Sequence, residues 1–162
     1  GLVAVVSSSL IYLLPGRAPW DSAWVPVSFL GSTIVLGATA GLAGRKSGAF
    51  PRRPFLAASA IGGLTVIASA GLMLARFCAA APDAYAAAQL AAARRLAMSD
   101  SAAWLAVFGL LAGLLPAGTA LCNWKSARSS RAAFRAVFWA ALGGVVAGRL
   151  LMFAVGIDVP LF

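Results

Sequence analysis

The chain has 162 residues, 62% of them hydrophobic and 10% charged, with a mean hydropathy of +0.92. Soluble domains carry about 25% charged and roughly 45–50% apolar residues, so a soluble enzyme, a disordered tail and a disulfide-stapled secreted module are excluded. Thirteen Lys and Arg against four acidic residues give a net charge of +9, and there is no His. In so apolar a chain the basic residues belong to loops that set membrane orientation, rather than to a nucleic-acid surface. The missing imidazoles remove bis-histidine haem ligation, the commonest zinc ligands and the usual general base near neutral pH.

The first segment, 1–14, is apolar but too short to cross a ~30 Å hydrocarbon core at 1.5 Å per residue. It reads as a partial span whose start lies outside this sequence, with a processed N-terminus as the alternative. The 15–22 loop balances Arg17 against Asp21. An uncharged run from Ala23 to Ala43 is the first full span. The 44–54 loop then carries Arg45, Lys46, Arg52 and Arg53 with no acid. The next uncharged run, Phe55–Ala75, predicts a span over 55–77.

The 76–100 segment is alanine-rich but holds Arg76, Asp83, Arg94, Arg95 and Asp100. Alanine favours helix, and the charges keep the segment out of the bilayer, so a surface helix is predicted over about 82–98, beginning near Pro82 and Asp83. It lacks a strong apolar face. Ser99 and Asp100 are placed to cap the next span, which covers 101–124. Pro116 lies inside that span and predicts a kink that frees the carbonyl of Ala112. The 122–135 loop carries Lys125, Arg128, Arg131 and Arg135, again with no acid. The last span, 136–157, contains a single charge, Arg149.

The fold class is therefore all-α: a polytopic transmembrane bundle with four full spans and a partial N-terminal one, in a single domain over 1–162. Barrel strands would alternate with period two, and that pattern is missing. Strict alternation of spans puts the two basic loops on one side, the cytoplasmic side by the positive-inside rule. The 15–22 loop, the 76–100 segment and the C-terminus then face outward. Trp20 and Trp24 flank the start of the first full span, Trp104 and Trp124 lie at the two ends of the third, and Trp139 lies near the start of the fourth, all at headgroup depth.

Cys78 and Cys122 fall at opposite ends of the bundle, beyond the ~7 Å Cα separation a disulfide allows, and are read as bystanders. Glycine pairs at four-residue spacing, Gly37/Gly41, Gly109/Gly113 and Gly144/Gly148, are candidate close-packing faces. Arg149 is the one intramembrane charge, which makes it a candidate for a direct role at a bound ligand; the other reading is snorkelling to the headgroups or structural pairing, and Asp21 and Asp158 are candidate partners on the same side. No catalytic residue and no metal ligand set is apparent.

Two segments bring a family into view. One runs through Tyr12, Pro15, Arg17, Pro19, Trp20, Ser22, Trp24, Pro26 and Phe29 into Leu36 and Gly37. The other is Ala147-Gly148-Arg149-Leu150-Leu151-Met152-Phe153. Together they resemble the later half of the DmsC family, the membrane anchor subunit of dimethyl sulfoxide reductase, over essentially the whole chain. Members have eight spans with both ends outside, in roughly twice this length.

The resemblance implies a multi-pass anchor in the bacterial inner membrane with a periplasmic C-terminus. Such an anchor holds an iron–sulfur electron-transfer subunit and a molybdopterin catalytic subunit, and supports menaquinol oxidation in anaerobic respiration. No cofactor is then bound by the chain itself. The family's quinol-binding His and Glu lie in the earlier half and have no counterpart here, which leaves Arg149 as the one quinol-side candidate. The Glu often found three residues before the last-helix Gly is Val145 here. Tyr12, Arg17, Trp20, Asp21 and Trp24 form the expected docking surface: aromatics for contact area, prolines for rigidity and few charges to desolvate.

Two other classes make different predictions. A small transporter or channel needs inverted repeats, broken helices and midplane polarity. An intramembrane enzyme needs a nucleophile–base pair or a metal site.

Overall fold

The computed structural model describes residues 2–13, 18–44, 52–99, 102–125 and 131–157, and every regular element among them is helical. A short α1 (Leu2–Leu10) precedes α2 (Trp24–Gly44) and α3 (Arg52–Cys78). Helix α4 (Ala84–Met98) follows, and then α5 (Ala102–Val107), a π-helical turn (Phe108–Leu114) and α6 (Leu115–Cys122) form one continuous rod. Helix α7 (Arg131–Ile157) ends the order. Four stretches are long and apolar enough to cross a membrane: Trp24–Gly44, Arg52–Cys78, Ala102–Cys122 and Arg131–Val155. The chain is a multi-pass membrane protein. Helices α3 and α7 begin on arginines, three and five residues before the predicted spans. The apolar run marks the hydrocarbon, whereas backbone hydrogen bonding carries the helix on through the headgroups.

The core lies in three layers along the bundle. Leu42, Leu56, Ala120 and Phe134 fill one end, Val35, Val66, Phe108, Ala112 and Ala141 the middle, and Trp20, Trp24, Met73, Phe77, Leu90, Leu151 and Met152 the other end. Lipid cancels the hydrophobic drive between helices, so close backbone approach must replace it. A Cβ at Gly62 would stand 2.8 Å from the backbone nitrogen of Val35, and one at Gly144 would stand 2.6 Å from that of Ala112. Only one predicted glycine pair works as a pair: Gly148 meets the Phe108 ring beside the Gly144 contact, while Gly37 and Gly109 face open space.

The predicted kink at Pro116 is instead the π-helical turn. There the Leu115 N–H reaches back five residues to the Leu110 carbonyl. Widening the turn puts Pro116 at the start of the next α-helical segment, where a missing N–H costs little. Ala112, whose carbonyl a kink would free, lies buried inside the turn. The Ser59 hydroxyl donates across to the Pro116 carbonyl at 3.2 Å.

The ends of the bundle differ. At one, Arg52 Nη2 donates to the Asn123 carbonyl at 3.2 Å, which joins the start of α3 to the end of α6. The two basic loops therefore leave the bundle at the same end. At the other end, α4 starts on Asp83, whose carboxylate accepts from the Ala86 N–H at 2.7 Å. Ser99 caps the C-terminal end of α4, its hydroxyl donating to the Arg95 carbonyl, rather than the start of the next span; Asp100 lies outside the described residues. Helix α4 does bury a face (Ala86, Gln89, Leu90, Ala93 and Ala97), and its small side chains let it lie close against the bundle. Three indoles, Trp104, Trp124 and Trp139, are exposed near span ends as an aromatic belt requires. Cys78 and Cys122 are free and exposed.

Candidate functional site

The segment 18–23 caps the site. It precedes α2 and is held by three other elements. The Ala18 N–H donates to Gln89 Oε1 of α4 at 2.9 Å, and Arg76 Nε of α3 donates to the Ala18 carbonyl at 3.1 Å. Trp20 Nε1 donates to the Met152 carbonyl of α7 at 3.1 Å, and Trp24 Nε1 turns back to the Pro19 carbonyl at 2.8 Å. Each bond satisfies a polar group that would otherwise be stranded near the hydrocarbon boundary. Gln89 is only 2% exposed. Gln89 and Arg76 are the positions that sequence reasoning passed over; the signal for the first is a lone amide in an alanine helix.

Beneath this cap lies an aromatic cluster. The Tyr12 ring stacks on Phe29 with centroids 5.5 Å apart and meets Trp20 and Phe153 edge-on at 6.1 and 6.2 Å. Trp20 and Phe153 are 6.5 Å apart. Such geometries add about 0.5–1.5 kcal/mol per pair beyond burial.

Arg149 enters the cluster from α7. Its guanidinium carbon lies 3.6 Å from the Phe29 ring centroid. Nη1 is 3.4 Å from Ser28 Oγ and 3.9 Å from Met152 Sδ. The Ser28 hydroxyl proton is committed to the Val25 carbonyl, so its oxygen faces the arginine as an acceptor. Among the described residues no carboxylate pairs with Arg149. Asp21 stands exposed on the 18–23 segment, and Asp158 lies outside the described residues. Arg149 is one turn, about 4.5 Å of rise, below the Met152 carbonyl that Trp20 grips, so the charge sits near the edge of the apolar layer. A cavity of about 10 Å³, roughly room for one water, adjoins it between Trp24, Ser28, Ser69 and Phe108. Val145 packs into the middle core layer and gives Arg149 no carboxylate one turn deeper.

The expected docking surface divides. Tyr12 is half-buried and Asp21 exposed, while Arg17 lies outside the described residues. Trp20 and Trp24 are 8% and 4% exposed. Their indoles hold the cap to the bundle and offer no contact area to a partner. Proline-rich aromatic segments serve either purpose, and Met152, which takes the Trp20 indole, and Gln89, which holds Ala18, are remote in sequence. No group of three potential metal ligands occurs among the described residues. Comparison with protein-family models, with curated proteins and with solved structures finds no match.

Proposed function

We propose that this chain is the membrane anchor subunit of a respiratory molybdopterin oxidoreductase complex of the dimethyl sulfoxide reductase type. It docks an iron–sulfur subunit and supports menaquinol oxidation in anaerobic electron transport. One observation carries the reading. The two segments that resemble the DmsC family, far apart in the chain, meet in space: Tyr12, Trp20 and Phe29 from the first surround Arg149 and Phe153 from the second.

The positive-inside rule puts the basic end in the cytoplasm and the capped end, with the C-terminus, in the periplasm. The cap is a platform pinned to α3, α4 and α7, and its exposed surface, including Asp21 and Tyr85, is what a docked subunit would meet. Arg149, ringed by aromatics near headgroup depth, is the group on this chain suited to a quinol oxygen. The redox chemistry belongs to the iron–sulfur clusters and molybdopterin of the partner subunits.

A transporter is less well supported. Its broken helices expose backbone to a cavity, whereas here the π turn keeps the helix hydrogen-bonded up to Leu115, the residue before the proline. The anchor reading is tested by purifying the tagged chain in mild detergent from cells respiring anaerobically. Iron–sulfur absorbance and molybdenum should accompany it. A chain recovered free of both overturns the proposal.

A further inference from the structure

We propose that the cleft between the end of α3 and α4 binds an anionic phospholipid, with Arg94 holding its phosphate. The cleft has a volume of about 220 Å³ and is walled by Ala81 and Ala87 above the buried Phe77 and Leu90, with Cys78 and Arg94 also lining it. Helix α3 leaves the apolar layer at Phe77 and Cys78, so the cleft opens at headgroup depth. Its chemistry is amphiphilic: apolar walls suit the glycerol region and first methylenes, and a guanidinium suits the phosphate with two parallel hydrogen bonds.

The neighbouring charges are committed elsewhere. Arg76 donates to the Ala18 carbonyl, and the Asp83 carboxylate caps α4. Among the described residues no carboxylate pairs with Arg94. An acidic protein segment has no acyl chain to fill an alanine-lined cleft that opens at headgroup depth, which favours the lipid. The inference rests on the membrane-spanning fold and is independent of the anchor reading.

Cys78 reports on the cleft directly. The Cys122→Ser protein is placed in nanodiscs of phosphatidylglycerol or of phosphatidylcholine, and the rate at which Cys78 reacts with an uncharged maleimide is measured. The reaction should be about fivefold slower in phosphatidylglycerol, the factor expected from one arginine at an anionic surface. Arg94→Gln should abolish the difference and Arg95→Gln should keep it. A cysteine at exposed position 88 (Ala88→Cys with Cys78→Ser) measures the general effect of surface charge and should change little. Equal rates in the two lipids, slowing that survives Arg94→Gln, or the same slowing at position 88 would each overturn the proposal. So would equal protection by polyglutamate in phosphatidylcholine, which would point to a protein partner.

Discussion

Adding one methyl group at each of two adjacent glycines of α7 should change stability in opposite directions. At Gly143 a Cβ would meet nothing within 4 Å. Gly143→Ala therefore gains the helix propensity of alanine, about 0.8–1 kcal/mol, at no steric cost. At Gly144 the same atom would stand 2.6 Å from the Ala112 backbone nitrogen and 2.9 Å from Leu111 Cβ, where ordinary contact begins near 3.4 Å. Neither neighbour is the free end of a flexible side chain, so α7 and the π turn would have to part by about 0.8 Å, the difference between 3.4 and 2.6. Overpacking of this kind costs about 1–3 kcal/mol. The propensity gain is common to both variants, so the gap between them isolates the steric part, and Gly144→Ala should lie about 1–3 kcal/mol below Gly143→Ala. Reversible unfolding by increasing SDS in mixed micelles measures both. Equal stability, or a more stable Gly144→Ala, would refute the helix contact.

The cap yields two more predictions. Trp20→Phe keeps an aromatic ring but loses the donor to Met152, and should destabilise by about 0.5–1.5 kcal/mol, whereas Trp20→Ala should cost about 3–5 kcal/mol; thermal unfolding in detergent separates them. Gln89→Leu leaves the buried Ala18 N–H without its acceptor, costs about 1–3 kcal/mol and should speed proteolysis in the 18–23 segment; unchanged cleavage would mean the cap is held otherwise. At Arg149, Lys keeps the charge but loses the planar stack on Phe29, and such contacts are worth about 0.5–2 kcal/mol. On the anchor reading Arg149→Lys should slow menaquinol-dependent reduction by roughly 2- to 30-fold with the complex still assembled, and a wild-type rate would remove Arg149 from the quinol site.

The fold was legible because lipid imposes one simple rule: uncharged runs of span length must be helices. The basic loops then fixed which ends share a side, and the Arg52–Asn123 bond agrees. What sequence left hidden was pairing. Glycines 37 and 109 look like packing faces as much as 62 and 144 do, and only the partner helix decides which are used. A proline predicts disruption, but whether the helix bends or widens depends on the neighbours that hold Phe108 and Ala112. The tryptophans of the 12–29 segment sit at headgroup depth whether they face a partner or the protein interior. Met152, which takes the Trp20 indole, and Gln89, which holds Ala18 beside it, carry no local signal of doing so.

The arrangement of the bundle across the membrane is the claim on which the rest depends, and an impermeant thiol reagent applied to intact spheroplasts tests it most directly. In a chain whose only cysteine is Cys122, at the basic end, no reaction should occur until the membrane is opened. In a chain whose only cysteine is Ala88→Cys, on the exposed face of α4, reaction should occur at once. Labelling of both from the same side, or of Cys122 alone from outside, would contradict the account.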